Sequence, residues 1–452
     1  MKKLFLLALF AGLIWGCGLT GGSESGEISR GTKGRKSRYA EAPPNGMSYI
    51  PAGSFLLGHN DQDLNMAINA GNKMVAIDAF WMDQTEITNF EYRQFVSYVK
   101  DSSQRRHLAE NGHADFLLET EEDQLDQNAQ APLNWRKRIN VKRDSDLRDA
   151  LRELDYSPEE SLFGRREYDV RQLVYEYSWF DMEQAAKARY DHKEKKYIGT
   201  VINAQGEREE IKGRSSFIMR DRTAVYPDTL CWIRDFEYSY NEPFASQYFS
   251  HRAYDNYPVV GVTWKQAVAF CHWRTQKMEN GRKKMYVGFP YRLPSEGEWE
   301  YAARGGLQGS LYPWGGPYTT NGEGCYLANF KPQRGKYALD GATRTAEVGL
   351  KNPNDYGLYD MAGNVSEWTY TAYDENAYNF YHDLMPHYTY NARENDGIVK
   401  KRKVVRGGSW KDIAYYLQVG TRTYEYQDST HCYVGFRCVR SYMGTASRES
   451  RK

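Results

Sequence analysis

The stretch from Pro353 to Cys438 places glycines directly beside large aromatic residues, and this feature most constrains the fold. Three blocks carry the pattern: P-N-D-Y-G-L-Y-D-M-A-G-N-V-S-E-W-T, V-V-R-G-G-S-W-K-D and V-G-F-R-C. The glycines are Gly357, Gly363, Gly407, Gly408 and Gly435, and the aromatic residues are Tyr356, Trp368, Trp410 and Phe436. Glycine permits close backbone approach and aromatic rings provide anchors, so the stretch predicts a loop-rich core rather than regular strands.

The blocks G-L-Y-D-M-A-G-N-V-S-E-W, R-G-G-S-W and G-F-R-C, in this order, resemble the C-terminal signature of the formylglycine-generating enzyme (sulfatase-modifying factor) superfamily. M-S-Y-I-P-A-G-S-F-L-L-G near the start of the chain resembles an N-terminal block of the same family. The resemblance implies an α+β fold in one loop-rich domain, which we place at residues 45–442 with an insertion at 102–251.

Three capping boxes predict helices within this domain. Thr88 with Glu91, Thr263 with Gln266 and Ser295 with Glu298 each place a hydroxyl three residues before a side chain that can bond back to the cap. After the first box, apolar residues follow at helical spacing, at Tyr92, Phe95, Val96 and Val99. Further upstream, M-S-Y-I-P-A-G-S-F-L-L-G predicts two short strands around a turn.

The first 16 residues have the pattern of a signal peptide, with Lys2 and Lys3 before an apolar run from Leu4 to Trp15. Ile14-Trp15-Gly16-Cys17 has the form of a lipobox, which predicts Cys17 as the lipidated first residue of the mature chain. An ordinary secretory signal with a chance cysteine is the alternative. Residues 17–44 are rich in glycine, serine and charge, which is typical of a flexible tether, and we expect a disordered tail at 443–452.

The chain has no large net positive charge that would attract nucleic acid, because 60 basic and 59 acidic side chains leave a formal charge of +1. The chain contains 37 tyrosines, which fit either a protein interface or an aromatic core. The insertion begins acidic and turns basic, yet its phrases V-Y-E-Y-S-W-F-D and V-Y-P-D-T-L-C-W-I-R-D-F-E-Y-S-Y-N-E-P are too aromatic to remain unpacked. We expect it to pack partly on the domain and partly on a partner.

The catalytic chemistry of the resembled family is missing. Its oxygen-using members hold copper(I) with two cysteines shortly after the G-G-S-W block, and the matching positions here are Asp412 and Leu417. Copper(I) selects soft sulfur ligands, so we expect neither copper nor catalysis. Nine histidines form no helical pair, and His382 with His387 is a weak candidate for a metal pair, so iron is not expected. Ser409 lacks the surroundings of a nucleophile.

The resemblance also implies two calcium sites and one disulfide. The matching oxygen ligands are Asn329, Asp340 and the Phe330 and Ala342 carbonyls for the first site, and Asp360, Glu367 and the Gly363 and Val365 carbonyls for the second. Loop capping by hydrogen bonds is the alternative for Asp360 and Glu367. The implied disulfide joins Cys271 and Cys438, while the partners of a second family bridge are absent at Ala303 and Arg422. Cys231, Cys325 and Cys432 remain unassigned, and this odd set leaves at least one thiol without an internal partner.

The insertion phrase from Val225 to Pro243, with M-S-Y-I-P-A-G-S-F-L-L-G and H-R-A-Y-D-N-Y-P-V-V-G-V-T-W, resembles the gliding-motility lipoprotein K family (GldK and PorK) and its sibling J family of the type IX secretion system. This resemblance implies a non-enzymatic lipoprotein in the periplasmic leaflet of the outer membrane, which self-associates and assembles with the N protein into a ring. The alternative is an enzyme, or a lipoprotein that binds a peptide or glycan in a pocket lined by Trp410, Tyr415, Arg437 and Glu367.

Overall fold

A computed structural model describes residues 43–58, 71–118, 132–142, 144–161, 164–281 and 289–443. The predicted signal peptide, Cys17, the tether up to residue 42 and the tail from residue 444 lie outside the described residues. Residues 43–443 form one compact unit. None of the helices in the described ranges combines the length and apolar character needed to span a bilayer.

Apart from two helices of 22 and 18 residues, the helices and strands are short, and they are distributed along the whole described chain. The helices are α1 (Asn89–Glu110), α2 (Ser145–Ala150), α3 (Met182–Lys187), α4 (Cys231–Asp235), α5 (Glu242–Gln247), α6 (Trp264–Gly281), α7 (Glu296–Ala303) and α8 (Ala377–Phe380). The strands are β1 (Met47–Ile50), β2 (Gly53–Leu57), β3 (Lys73–Ile77), β4 (Phe80–Asp83), β5 (Val174–Phe180), β6 (Arg189–Asp191), β7 (Lys196–Ile198), β8 (Thr200–Ile202), β9 (Arg208–Glu210), β10 (Ile218–Ala224), β11 (Tyr291–Arg292), β12 (Ser366–Ala372), β13 (Arg402–Arg406), β14 (Thr423–Tyr426), β15 (Val434–Gly435) and β16 (Val439–Ser441).

The predicted capping boxes are confirmed at the start of α1, α6 and α7. Thr88 Oγ1 accepts a hydrogen bond from the Glu91 amide at 3.2 Å, and a Glu91 carboxylate oxygen accepts from the Thr88 amide at 2.9 Å. Thr263 with Gln266 and Ser295 with Glu298 form the same reciprocal pairs. These bonds satisfy amides that a helix N-terminus leaves without partners, which fixes where each helix begins.

Two four-stranded sheets organise the domain. One has the order β1-β4-β16-β11, so the first described strand and the last lie in the same sheet on either side of β4. The other has the order β14-β13-β12-β15, in which β12 and β15 are parallel and the other neighbours are antiparallel. β1 and β2 confirm the two predicted N-terminal strands, although β2 pairs with β3 in a separate hairpin.

The second sheet corrects the expectation that the stretch from Pro353 to Cys438 has no regular strands. Its S-E-W-T and V-V-R segments lie in β12 and β13, where Trp368 and Val405 are paired and buried. Apolar residues thus outweigh the nearby glycines in the strand interiors. Four of the five glycines lie outside the strands, among them Gly407 and Gly408 with φ values of 95° and 65°, whereas Gly435 lies in β15.

An aromatic core lies between α1, α6 and the second sheet. Tyr92 stacks on Phe270 with ring centroids 5.7 Å apart, and Phe270 meets Phe436 edge-on at 5.4 Å. Residues 102–251 contribute to this core through Tyr175 and Val225, among others, and α1 continues to Glu110 without a break at residue 102. Much of the predicted insertion is therefore packed into the domain.

Candidate functional site

The Asp412 side chain forms hydrogen bonds within the G-G-S-W turn, where the catalytic centre of the resembled family would lie. A Cβ on Gly408 would lie 2.7 Å from the Tyr416 carbonyl oxygen, so this turn requires glycine. The Asp412 carboxylate accepts hydrogen bonds from the Ser409 amide at 2.9 Å and the Ser409 hydroxyl at 2.6 Å. At the first of the two cysteine positions, the Asp412 side chain therefore stabilises the turn by hydrogen bonds.

The second position, Leu417, is part of the hydrophobic core. Its side chain is fully buried in a cluster with Tyr312, Ala328, Phe330 and Ala362. An aliphatic side chain in this place offers neither a metal ligand nor a nucleophile.

Aromatic residues from α4 and the chain after it cover the same turn. The Trp232 indole stacks on Trp410 with ring centroids 6.2 Å apart, and Phe236 lies 5.1 Å from Trp410. Trp232 also packs against Phe244 and Tyr248, at 5.0 and 4.9 Å. We call residues 225–243 the cap, since this segment lies over the G-G-S-W turn and supplies these rings.

Polar contacts attach the cap to the chain before β15. Asp235 accepts a hydrogen bond from the Cys432 amide at 2.8 Å and pairs with His431 at 3.2 Å. The second imidazole nitrogen lies 3.2 Å from Glu425. Burial alone lowers the pKa of His431, but its bonds to Asp235 and Glu425 outweigh burial and raise the pKa to about 9. The imidazolium therefore joins a cap carboxylate to a carboxylate on β14.

Arg437 and Glu367 form a fully buried ion pair beneath the turn. The guanidinium reaches both carboxylate oxygens at 2.7 to 2.9 Å and also donates to the carbonyl oxygen of Tyr359 at 2.8 Å. The Trp299 indole N–H donates to the same carboxylate at 2.8 Å. Such a pair is stable only when its remaining hydrogen-bonding groups are satisfied, as they are for Glu367.

The residues predicted to line a ligand pocket are largely buried. Arg437 and Glu367 are fully buried, Tyr415 is buried, and Trp410 is covered by Trp232. Three of the four predicted lining side chains are therefore buried, and Trp410 is partly buried. A groove of about 480 Å³ lies beside α1 and is lined by Lys100, Arg138 and Val141, among others.

The first predicted calcium site has a ligand atom that suits a cation. Asn329 Oδ1 is buried and has no hydrogen-bond partner among the described residues, while its amide nitrogen donates to Arg344 and Asn364. The Asp340 carboxylate accepts from the Phe330 and Ala342 amides, at 2.7 and 3.3 Å. A hard cation would satisfy the remaining Asn329 oxygen, so these residues fit calcium.

At the second predicted calcium site, the candidate carboxylates already accept hydrogen bonds from other groups of the protein. Asp360 accepts from the Gly349 amide at 2.6 Å, and the Glu367 oxygens are already bonded to Arg437 and Trp299. Glu86, fully buried beside them, accepts from Val365 N–H at 3.3 Å. Burial, then the nearby charges of Asp360 and Glu367, raise the pKa of Glu86. Glu367 is thus paired with the Arg437 guanidinium, while Glu86 and Asp360 lie within reach of its charge. The Gly363 and Val365 carbonyls as calcium ligands stay a prediction.

The remaining candidates are the predicted cysteine pair and the predicted histidine pair. Cys271 Sγ and Cys438 Sγ are both buried and lie 3.5 Å apart as unbonded thiols, so their pairing stays a prediction. His382 accepts a hydrogen bond from the Leu384 amide, and His387 stacks on Tyr370. In the described ranges, no group of three or more histidine, cysteine or acidic side chains is placed to hold a metal ion.

Sequence reasoning missed the buried charge network around α7. Arg406 donates to Glu296 and Glu300, both at 2.8 Å, and Arg422 also pairs with Glu296. Arg422 occupies one position of the absent family bridge, so an ion pair lies where that family has a disulfide. The available signal was the four-residue spacing of Glu296 and Glu300, which places both carboxylates on one face of α7.

Curated relatives include both enzymes and proteins named as inactive. The inactive C-alpha-formylglycine-generating enzyme 2 of Bos taurus is 36% identical over 189 residues, which cover 40% of this chain and 50% of the relative. The formylglycine-generating enzyme of Bos taurus is 26% identical over 412 residues, which cover 89% of this chain and 77% of the relative. In the first of these matches, as in that with the mouse enzyme, the chain spans about half the length of the relative.

The solved structure of PvdO from Pseudomonas aeruginosa aligns with a TM-score of 0.45 and 17% identity, over 88% of this chain and 94% of that chain. The family model for the sulfatase-modifying factor enzyme 1-like domain matches residues 33–162 and 166–442. With this match across most of its length, and with the G-G-S-W turn and the Arg437–Glu367 pair in its core, the chain belongs to the sulfatase-modifying factor enzyme 1-like domain family.

Proposed function

We propose that this protein is a non-catalytic, lipid-anchored scaffold subunit of the type IX secretion and gliding machinery. In this role it assembles with the N protein of that system into a periplasmic ring at the outer membrane. The observation that carries the proposal is the cap, because residues 225–243 are the phrase that resembles the K lipoproteins, and they cover the turn at which relatives would carry out catalysis.

The chemistry at the covered turn supports the non-catalytic part of the proposal. The Asp412 side chain bonds to Ser409 within the turn, and the Leu417 side chain lies in the hydrophobic core. Neither side chain offers a thiolate. Relatives named as inactive occur in the same family, which is consistent with loss of activity on this fold. Calcium at the Asn329 and Asp340 oxygens would have a structural role in such a scaffold.

The outer surface of the cap supports the scaffold part. Tyr238 is fully exposed and Tyr240 is 79% exposed, and Leu230 on the same segment is 63% exposed. Tyrosine provides a large, rigid contact area with a polar tip, which is typical of protein interfaces. We therefore assign the binding of the N protein to the exposed tyrosines of the cap.

A pull-down of the tagged protein from outer membranes in mild detergent tests the function. We expect one dominant partner, identified by mass spectrometry, and ring-shaped particles in negative stain. A monodisperse monomer that carries a small molecule or a transition metal would overturn the scaffold function and favour the enzyme or ligand-binding alternative.

A double substitution, Tyr238→Ser with Tyr240→Ser, tests the surface. We expect the partner to be lost from the pull-down while the variant still folds, because both side chains point into solvent. Tyr318→Ser is the matched control, since Tyr318 is 75% exposed but lies outside the cap. Equal recovery of the partner with the double variant and the control would remove the cap from the interface.

A further inference from the structure

Two cysteines without an assigned role, Cys231 and Cys432, lie in one buried cluster. Cys231 begins α4 in the cap, and Cys432 lies in the domain just before β15. Both side chains are fully buried, and they share the cluster with Trp232, Tyr248 and Val260, among others. A pair of thiols thus lies at the junction between the cap and the domain.

The backbone around Cys432 faces the side of α4 that carries Cys231. Cys231 and Asp235 are four residues apart, so they lie on the same face of the helix. Asp235 accepts its hydrogen bond from the Cys432 amide, and the Trp410 indole, which stacks on Trp232, donates to the Cys432 carbonyl at 3.3 Å. Both backbone groups of Cys432 are therefore bonded, the amide to the last residue of α4 and the carbonyl to the indole that stacks on α4.

Gly261 contacts both cysteine segments. A Cβ at Gly261 would lie 3.1 Å from Cys231 Sγ, and the Gly261 amide donates to the His431 carbonyl at 3.0 Å. Gly261 also has a φ of 73°, so a larger residue here would be strained as well as crowded. The nearest obstacle to such a Cβ is the Asp228 carbonyl oxygen, at 2.2 Å, and Cys231 Sγ lies on the same side of the Gly261 backbone. Gly261 thus lies between the Cys231 side chain and the residue that precedes Cys432.

We propose that Cys231 and Cys432 form a disulfide that fastens the cap to the domain. The proposal rests on the export included in the proposed function, because an oxidising compartment permits disulfides. Each thiol loses one proton and one electron, a sulfur–sulfur bond forms, and the disulfide of a donor oxidoreductase is reduced to two thiols.

Burial fixes when this bond can form. Burial, followed by the nearby Asp228 and Asp235 charges, raises the pKa of the Cys231 thiol, and burial followed by Cys231 and Asp235 raises that of Cys432. Thiolates are the species that react with disulfides, so folded thiols at this junction exchange slowly. The bond therefore forms while the chain folds, and once formed it resists external reductants.

Peptide mapping of protein purified from its native compartment under non-reducing conditions, after alkylation of unpaired thiols, tests the bond. Trypsin places the five cysteines after Cys17 in separate peptides, because Arg437 separates Cys432 from Cys438. We expect a linked pair of residues 223–234 and 423–437, and alkylated Cys325 as the internal control. The linked pair must disappear in a Cys231→Ser variant.

Refolding of recombinant protein in a glutathione redox buffer separates this proposal from the proposed export. A link that forms on refolding but is missing from the native protein would support the pairing and contradict the export. Alkylated Cys231 and Cys432 after refolding, in a sample where Cys271 and Cys438 are linked, would overturn the pairing itself. If the native protein has the link, reduction should lower its melting temperature more than it lowers that of the Cys231→Ser, Cys432→Ser double variant.

Discussion

Asn329 Oδ1 is a buried side-chain oxygen at a predicted calcium site; among the described residues it shares its lack of a hydrogen-bond partner with the amide oxygens of Asn89 and Gln427, which belong to neither predicted site. Buried acceptors nearly always have a partner, and this one has none among the described residues. Its amide nitrogen is bonded to two acceptors, so turning the amide around would break two hydrogen bonds. A bound cation would supply the partner that this oxygen lacks.

We therefore expect calcium to raise the melting temperature of the metal-free protein, as measured by differential scanning calorimetry with EDTA or excess calcium. At a concentration about 100-fold above the dissociation constant, binding adds about 2.7 kcal/mol. Asn329→Leu should lose this calcium-dependent increase, whatever its melting temperature in EDTA. Asn140→Leu, at an exposed position, should keep it. An equal increase in the Asn329 variant would exclude this site.

At the scale of one element, α4 is amphipathic over five residues. Trp232 is 1% exposed and packs on three aromatic residues, while its neighbour Ile233 is 37% exposed. We expect Trp232→Ala to lower the free energy of unfolding by about 3–5 kcal/mol, because it leaves a large cavity. Ile233→Ala on the same helix should cost less than about 1 kcal/mol. Urea denaturation followed by circular dichroism measures both, and equal losses would contradict the cap packing.

The ion pair between His431 and Asp235 of α4 makes the free energy of unfolding depend on pH. The folded pKa of about 9 exceeds the ordinary value of 6.5, so the stabilisation is complete below pH 6.5 and is lost as the pH rises through 9. We expect the free energy of unfolding to fall by about 1–3 kcal/mol over this window. His431→Gln should show a smaller fall, and exposed His192→Gln should behave like the unaltered protein. Identical pH profiles for all three would show that the ion pairs contribute little.

Local signals predicted three helices and the packing of the aromatic cap segment, but not the surface on which that segment packs. The capping boxes at Thr88, Thr263 and Ser295 depend on residues three apart, so the sequence contains all of their information. The contact between Trp232 and Trp410 joins residues far apart in the chain, and nothing in either local pattern indicates it. The strands β12 and β13 were missed for a related reason, since the glycines around them signalled turns while pairing between distant residues decided the strands.

At the scale of the whole molecule, the region predicted as an insertion cannot be separated from the domain. Tyr175, Tyr177 and Val225 lie in the same core cluster as Phe436, and the Tyr92 hydroxyl donates to the Val225 carbonyl at 3.0 Å. Removing residues 105–245 would expose this core, so loss of a partner in such a deletion would not identify an interface. Substitution of exposed residues is the test that the structure allows.

The proposed scaffold must also stay at a membrane, and the described chain has no helix that could span one. The predicted anchor is Cys17, which lies outside the described residues. Each buried methylene of an acyl chain contributes about 0.8 kcal/mol, and stable attachment requires more than one chain. We expect fatty-acid labelling of the unaltered protein, and a mature N-terminal peptide that begins at Cys17 with the mass of an acylated cysteine. Cys17→Ser should lose the label, whereas Cys325→Ser should keep it. An unmodified Cys17 peptide, or a mature chain that begins elsewhere, would leave an ordinary secretory signal as the function of the first residues and remove the lipid anchor from the proposed scaffold.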